Sequence, residues 1–428
     1  MSRHFSRAAL AAVGALVALA VQPAAAQQAS QIWTYWGSGA ELAAIQSVID
    51  LNNKAHADTP VEHVVIPGNT VELRRQLQTA LLGGTPPAAY QSAMGYEIKT
   101  FVDAGQLRPI ADVWNKVKGD EIFPTGLQRV MKVDGEPYAI PLNMHVISNI
   151  FYNKAIFEKY QITPPTTMAE LAAVCEKLEA EKIGCLANGG GYFWSLYNFY
   201  APLVSVVGVD GYFQIARGEM SFTDPKFKQA LELYRDTYVK HYLANWSGKT
   251  WAQGGDDVFA GRAAMMQIGD WVSGYLKDLG FKPGEDYDYF PAPGVGKAVL
   301  IQVDAIATPN GSETSNAAAD NFLTTAASPE AQGAFNLHKG SIAANLKTDP
   351  SIYDYIGQKT YATMQAAESD NAVLPNLFFL LPTELGSEFG AQIERFAIDP
   401  SDETLASVVE KLESVRVELV DQGAFVTW

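Results

Sequence analysis

Residues 32–41 read Ile32-Trp33-Thr34-Tyr35-Trp36-Gly37-Ser38-Gly39-Ala40-Glu41. A short apolar stretch ends in aromatic residues, turns through two glycines and delivers a carboxylate where a helix begins. Working outward, 32–35 is predicted as a strand and 41–53 as an amphipathic helix. A second strand is predicted over 61–66 and a second helix over 71–82, closed by Gly83-Gly84. Pro86-Pro87-Ala88-Ala89-Tyr90 reads as a loop entering a third, short strand. This β–α–β–α order implies a parallel sheet with helices on both faces. In such sheets ligands bind beyond the carboxyl ends of the strands, where the 37–40 loop lies.

Farther along, 138–151 is a strand-rich crossing interrupted by Pro141 and Asn143. Helical patterns follow at 167–180, 195–207 and 225–242, separated by loops at Asn188-Gly189-Gly190-Gly191 and Gly254-Gly255. Strand alternation returns over 299–308, and 404–420 closes the chain as an amphipathic helix. No short repeat or low-complexity tract occurs. Some four hundred residues, about twice a usual domain, exceed one core, so two domains are expected. A chain that builds part of one α/β lobe, leaves for a second and returns places crossing strands between them. Such crossings are hinges, and the cleft beside them is a ligand site. The expected fold class is therefore α/β and two-lobed, with an inter-lobe cleft. The first lobe is placed at 27–142 plus 290–342 and the second at 143–289 plus 343–428.

An export leader precedes this body. Arg3 and Arg7 form its basic start, 8–21 its apolar run and Ala24-Ala25-Ala26 a small-residue cleavage site. The run is short for a membrane span, so the mature chain is expected to begin at Gln27 and to work in the periplasm. A hydrophobic content of 48% with 18% charged residues excludes a disordered chain. The formal charge of −16 disfavours nucleic acid and anionic membranes as partners. It also repels an anionic ligand unless the cleft is locally basic. The two cysteines, Cys175 and Cys185, lie ten apart, and in an oxidising compartment they predict one small disulfide. A catalytic thiol would need a base, and none is near. His56, His63, His145, His241 and His338 show no metal-ligand spacing, so neither metal nor cofactor is expected.

A flat apolar ring beside an ionised acceptor suits a sugar, which offers CH groups on one face and hydroxyls around its rim. Five stretches extend that reading: Tyr35 to Glu41; Gly83-Gly84-Thr85-Pro86-Pro87; Pro137-Tyr138-Ala139-Ile140-Pro141-Leu142-Asn143-Met144-His145 with Phe151-Tyr152-Asn153-Lys154; Phe259-Ala260-Gly261-Arg262-Ala263-Ala264-Met265 running into Gly269-Asp270-Trp271; and Asn336-Leu337-His338-Lys339-Gly340-Ser341-Ile342. In this order they resemble the periplasmic solute-binding proteins of sugar ABC importers, the large maltose-type group. More narrowly, the chain is similar to the glucose- and mannose-binding subgroup. The resemblance implies a two-lobed periplasmic binding protein and carries ligand roles onto Trp36, Glu41, Asp270, Trp271, Asp304 and Lys339. Trp36 and Trp271 would sandwich a pyranose, Glu41 and Asp304 would accept from its hydroxyls, and Lys339 would donate. Trp36→Ala is then expected to weaken binding at least tenfold with the fold intact, since a stacked aromatic carries more than one kcal/mol.

Two departures from the subgroup stand out. Ser92-Ala93-Met94 lies where relatives carry a lysine, and Leu377-Phe378-Phe379-Leu380 where they carry a histidine. Apolar groups in those places point to a ligand with an added apolar face, such as a glycoside, a disaccharide or a deoxy sugar. Trp194 and Trp251 flank glycine-rich loops and are also candidates for lining the cleft. His145 is read either as a hydrogen-bonded hinge histidine or as a ligand contact. Asp270 is read as a contact or as the residue orienting Trp271. Glu41 also suits a helix N-terminus and Lys339 a helix C-terminus. Trp33 is expected in the core, with Trp114 and Trp246 as packing residues.

The leading expectation is a non-catalytic receptor. It closes around a sugar by hinge motion and delivers it to the transmembrane subunits of an ABC permease, acting as a monomer. The alternative is a periplasmic glycoside hydrolase pairing Glu41 with Asp304 or Asp270, which requires carboxylates about 5–5.5 or 6.5–9.5 Å apart. A phosphorylated sugar would instead demand arginines or a helix N-terminal nest.

Overall fold

The computed structural model describes residues 29–68, 70–426 and 428. The export leader and its cleavage site lie outside them. The opening stretch folds as read: strand Ser30–Thr34 is followed by helix Gly39–Ala55, strand Val61–Val65 and helix Thr70–Leu82. Strand Ala89–Ser92 completes a set of three parallel strands with Ser30–Thr34 in the middle. The sheet is mixed, however, because Ala305–Ala307 runs antiparallel between Ala89–Ser92 and Ala139–Pro141. A strand that returns from elsewhere in the chain has no crossover helix to force it parallel. Helices Glu313–Ala326 and Pro329–Lys339 then pack against Gly39–Ala55.

The strand-rich crossing resolves into three strands serving three sheets. Ala139–Pro141 belongs to the first sheet. Asn143–Val146 sits in a second, ordered Ile342–Ala343, Asn143–Val146, Val299–Gln302, Val373–Pro375. Asn149–Asn153 joins a third, ordered Tyr287–Pro291, Asn149–Asn153, Ala263–Gln267, Gly184–Ala187. The chain thus leaves the first sheet through the middle one after Pro141. It returns the same way between Pro291 and Ala305, and strand Tyr287–Pro291 spans the expected cut between 289 and 290.

The helical middle is longer than its pattern suggested. Tyr192–Ala216 runs 25 residues and is apolar nearly all round, as a buried helix must be. Its expected end at 207 coincides with a kink at Gly208, whose φ of 72° few other residues adopt. Pro225–Thr237 and Thr383–Ile398 cover it. Trp246 is buried as packing, as is Trp114, which donates to Asp120 at 3.0 Å. Trp33 is only half-buried and donates to Gln31 at 3.0 Å.

Cys175 and Cys185 are bonded, tying helix Met168–Ala180 to strand Gly184–Ala187. Both are fully buried. Replacing both with alanine is expected to cost about 2–4 kcal/mol of stability, read as a lowered midpoint in chemical denaturation. Among the described residues no helix is long and apolar enough to cross a membrane. No cluster of three or more metal-ligating side chains occurs among them either.

Candidate functional site

A cavity of about 500 Å³ opens where the carboxyl ends of the first and third sheets face the middle sheet. That size falls in the usual range for small-molecule sites. Of the residues expected to form a site, Glu41, His145, Trp194, Trp251, Trp271, Asp304 and Lys339 line it. Trp36 and Asp270 do not.

The exclusion of Trp36 continues, past the end of strand Ser30–Thr34, the alternation of burial that the strand sets. Side chains alternate faces along an extended chain. Ile32, Thr34 and Trp36 share the buried face, and Trp33 and Tyr35 the other. Trp36 is 0% exposed, its ring centroid 5.3 Å from that of Phe335. The Lys339 ammonium rests over it at 5.4 Å. The expected Trp36–Trp271 sandwich is therefore corrected: the ring that this strand end offers to the cavity is Tyr35. Burial, with Asp304 nearby, pushes the Tyr35 phenol well above its ordinary value, so it stays neutral.

The charged residues form a linked series. Glu41, in the first turn of Gly39–Ala55, contacts the ammonium of Lys339, in the last turn of Pro329–Lys339. Each charge also suits the helix end that bears it. Gly340 follows with φ 79°, the left-handed cap that lets the helix stop there.

Asp304 occupies the step from Val299–Gln302 to Ala305–Ala307. Its backbone N–H donates to Asn143 Oδ1 at 2.8 Å, and Asn143 Nδ2 donates back to Oδ2 at 2.9 Å. His145 Nε2 lies 3.3 Å from the same oxygen. Burial alone would raise the Asp304 carboxyl, but His145, Lys339 and Asn143 outweigh it and hold the group down at about 2. His145 is subject to the same contest. Burial disfavours its charge, yet Asp270 and Asp304 prevail and the pKa is raised.

Asp270 is 1% exposed and reaches His145 Nδ1 and the Val146 N–H, the latter at 3.1 Å. Its reading as a contact is corrected: burial among its own partners keeps it off the cavity wall. Nor does it hold Trp271 directly, since its side-chain bonds go to the middle sheet.

Opposite the charges lies an aromatic wall. Trp271 meets His145 edge-on at 5.0 Å, with Trp194 and Tyr197 at 6.1 and 6.0 Å from its ring. Gly269 permits this placement, because a Cβ there would sit 1.9 Å from the Trp271 ring. Phe193 lines the cavity beyond Tyr197, nearly parallel to Phe379 at 6.1 Å. The apolar 377–380 loop is a helical turn, Leu377–Leu380, whose Phe379 reaches the cavity. Ser92, Ala93 and Met94 are buried and absent from its lining.

Sequence reading missed Tyr35, Tyr197 and Phe193. Strand alternation would have revealed Tyr35. Phe193 and Tyr197 follow the glycine loop that had already flagged Trp194.

The carboxylates do not meet the requirements of a glycosidic acid. A glycosidic acid needs a carboxyl raised toward neutrality. Asp304, which faces the cavity, is shifted the opposite way. Asp270 is raised chiefly by burial, but it lies behind His145 and has no access to a ligand. The hydrolase reading is not supported.

Fold and cleft define a two-lobed α/β receptor whose crossing strands carry part of the site. Residues 36–333 match the family of bacterial extracellular solute-binding proteins, and the chain belongs to that family. It is 34% identical to an uncharacterized ABC transporter extracellular-binding protein of Pyrococcus horikoshii, over 82% of this chain and 79% of that one. A probable sugar-binding periplasmic protein of Brucella melitensis is 29% identical, over 82% and 83% of the two chains. Among solved structures, the bacterial solute receptor AcbH, described as exclusive for b-D-galactopyranose, superposes with a TM-score of 0.81. It is 21% identical, over 91% of this chain and 98% of that one.

Proposed function

We propose that this protein is the periplasmic carbohydrate receptor of an ABC importer. It captures a neutral mono- or small oligosaccharide or glycoside by hinge closure and hands it to the permease. The observation that carries this reading is the series Glu41, Lys339, Asp304 and His145 set opposite the Trp271, Trp194 and Tyr197 rings. Charged acceptors and donors at the rim with flat apolar faces beside them suit a pyranose, and charge-assisted hydrogen bonds are about twice as strong as neutral ones. The sugar-binding descriptions of the Brucella relative and of AcbH support the same class.

Neutrality of the ligand follows from charges already paired. Acidic and basic groups alternate along the series, leaving no cation in excess. The N-terminus of Tyr192–Ala216, which would otherwise attract an anion, already donates its Gly191 N–H to Glu394 at 2.7 Å. Phosphorylated sugars are thereby disfavoured. The Phe193–Phe379 wall supports a ligand with a second, apolar face, as in a glycoside or disaccharide. Closure would turn about the middle sheet, with one lobe at 27–142 plus the returning segment to 342 and the other at 143–291 plus 343–428. Ligand contacts from both sides supply the differential affinity that closure needs.

A thermal-shift screen of mature protein against monosaccharides, disaccharides, aryl glycosides and polyols tests this. A ligand at 100 times its Kd is expected to add about 2.7 kcal/mol, raising Tm by a few degrees. A blank screen would remove the sugar assignment and leave the family assignment standing.

A further inference from the structure

We infer that Asp270 is a positioning residue: without reaching the cavity, it fixes the His145 ring and, through that ring, the Asp304 carboxylate that meets the ligand. The claim rests on the receptor reading only for what Asp304 meets; the coupling of the three residues is a property of the ligand-free protein.

The first observation is where the carboxylate goes. Asp270 immediately precedes helix Trp271–Asp278 with helical backbone angles (φ −63°, ψ −11°), and its side chain makes no bond to that helix. Both its oxygens turn to the strand Asn143–Val146, Oδ1 to His145 Nδ1 and Oδ2 to the Val146 N–H. Buried and bonded through both oxygens to residues 124 and 125 positions away, the carboxylate is fixed against the middle sheet.

The second is the geometry beyond. His145 lies between two carboxylates, with Asp270 on Nδ1 and Asp304 on Nε2. With Asp270 accepting at Nδ1, that nitrogen carries a proton. A proton on Nε2 toward Asp304 makes the ring an imidazolium, whereas a neutral ring would accept there from Asn143 Nδ2, 3.1 Å away. Asp304 Oδ2 accepts from Asn143 Nδ2 and lies 3.3 Å from His145 Nε2, while the side-chain partner of Oδ1 among the described residues is Gln91 at 3.4 Å. One oxygen is thus anchored while the other is available to a hydroxyl.

The groups facing His145 can be named from every side. Asn143 shares its strand, and Gln302 is its register partner on Val299–Gln302. Asp304 follows that strand, and Asp270 and the Trp271 edge come from the third-sheet side. Lys339 is the cation opposing its protonation, and it too lines the cavity. Tyr289 and Tyr353 stand near Asp270 on the far side, their phenols held neutral chiefly by burial. Removing the Asp270 charge therefore leaves burial and Lys339 acting against Asp304 alone.

The test has two arms, both on the full mature chain. In the first, imidazole nitrogen resonances of ligand-free protein are followed against pH. Wild-type His145 is expected to stay an imidazolium past the ordinary histidine midpoint of about 6.5. In Asp270→Asn its midpoint falls by at least about one unit, the usual worth of a close opposite charge. In the second arm, the dissociation constant for the sugar giving the largest thermal shift is measured across the same range. Wild-type affinity stays level near neutrality, whereas the variant loses about tenfold above its new midpoint and recovers below it.

A neutral His145 in wild type at pH 7 would overturn the inference, as would an unchanged midpoint in the variant. Equal loss of affinity at every pH would reduce Asp270 to a structural residue. A blank sugar screen would sink the receptor reading alone, because the first arm needs no ligand. The wild-type titration needs no variant, so it decides even where Asp270→Asn folds poorly.

Discussion

Asp304→Asn is expected to weaken sugar binding at least about a hundredfold at neutral pH. The change keeps the shape but removes the charge, and each charge-assisted bond is worth about 1.5–3 kcal/mol against roughly 0.5–1.5 for a neutral one. The new amide can keep its oxygen toward Asn143 Nδ2 and His145 Nε2, but its NH2 then replaces Oδ1, facing the Gln91 donor and removing the acceptor offered to a hydroxyl. Isothermal titration with the sugar selected by thermal shift reads the loss directly. Retained affinity would move the acceptor role elsewhere.

The same carboxylate has a stability signature. Its folded pKa of about 2 lies below the ordinary aspartate value, so the ionised form is favoured on folding. The contribution is therefore complete above pH 4 or so, and is lost as pH falls through about 2. It amounts to about 2 kcal/mol. Asp304→Asn should flatten the stability profile over that window in acid-titrated denaturation curves.

The second large effect falls on the fold. Trp36→Ala is expected to cost about 3–5 kcal/mol of stability, as for other fully buried aromatics. That is a large share of the 5–15 kcal/mol typical of a domain. The vacancy would open against Phe335 and beneath the Lys339 ammonium. Trp271→Ala provides the contrast. Its ring is a cavity wall, so affinity falls about tenfold or more while Tm moves less. Should Trp36→Ala keep its Tm and lose its sugar, the tryptophan would return to the ligand face and the strand alternation argument would fail.

These two tryptophans show where the sequence was legible. The motif turns placed Trp36 and Trp271 at cavity-forming loops, and both loops are there. What local reading assigned wrongly was facing, because a one-residue step in a strand moves a side chain to the opposite side. The alternation Ile32, Thr34, Trp36 was present in the sequence. It was outweighed by the resemblance, which pointed to Trp36, whereas Tyr35 is the ring of that adjacent pair that lines the cavity.

The sequence by itself determined the order of strands and helices, because hydrophobic period and glycine punctuation act over a few residues. It also made the Cys175–Cys185 bond an expectation, which the structure shows formed. Only the tertiary structure decided that Asp270 belongs to His145, that Lys339 lies on Trp36, and that Phe379 enters the cavity. Each is a pairing between segments dozens to hundreds of residues apart. Such pairings depend on how sheets align and helices pack, and no local pattern encodes them.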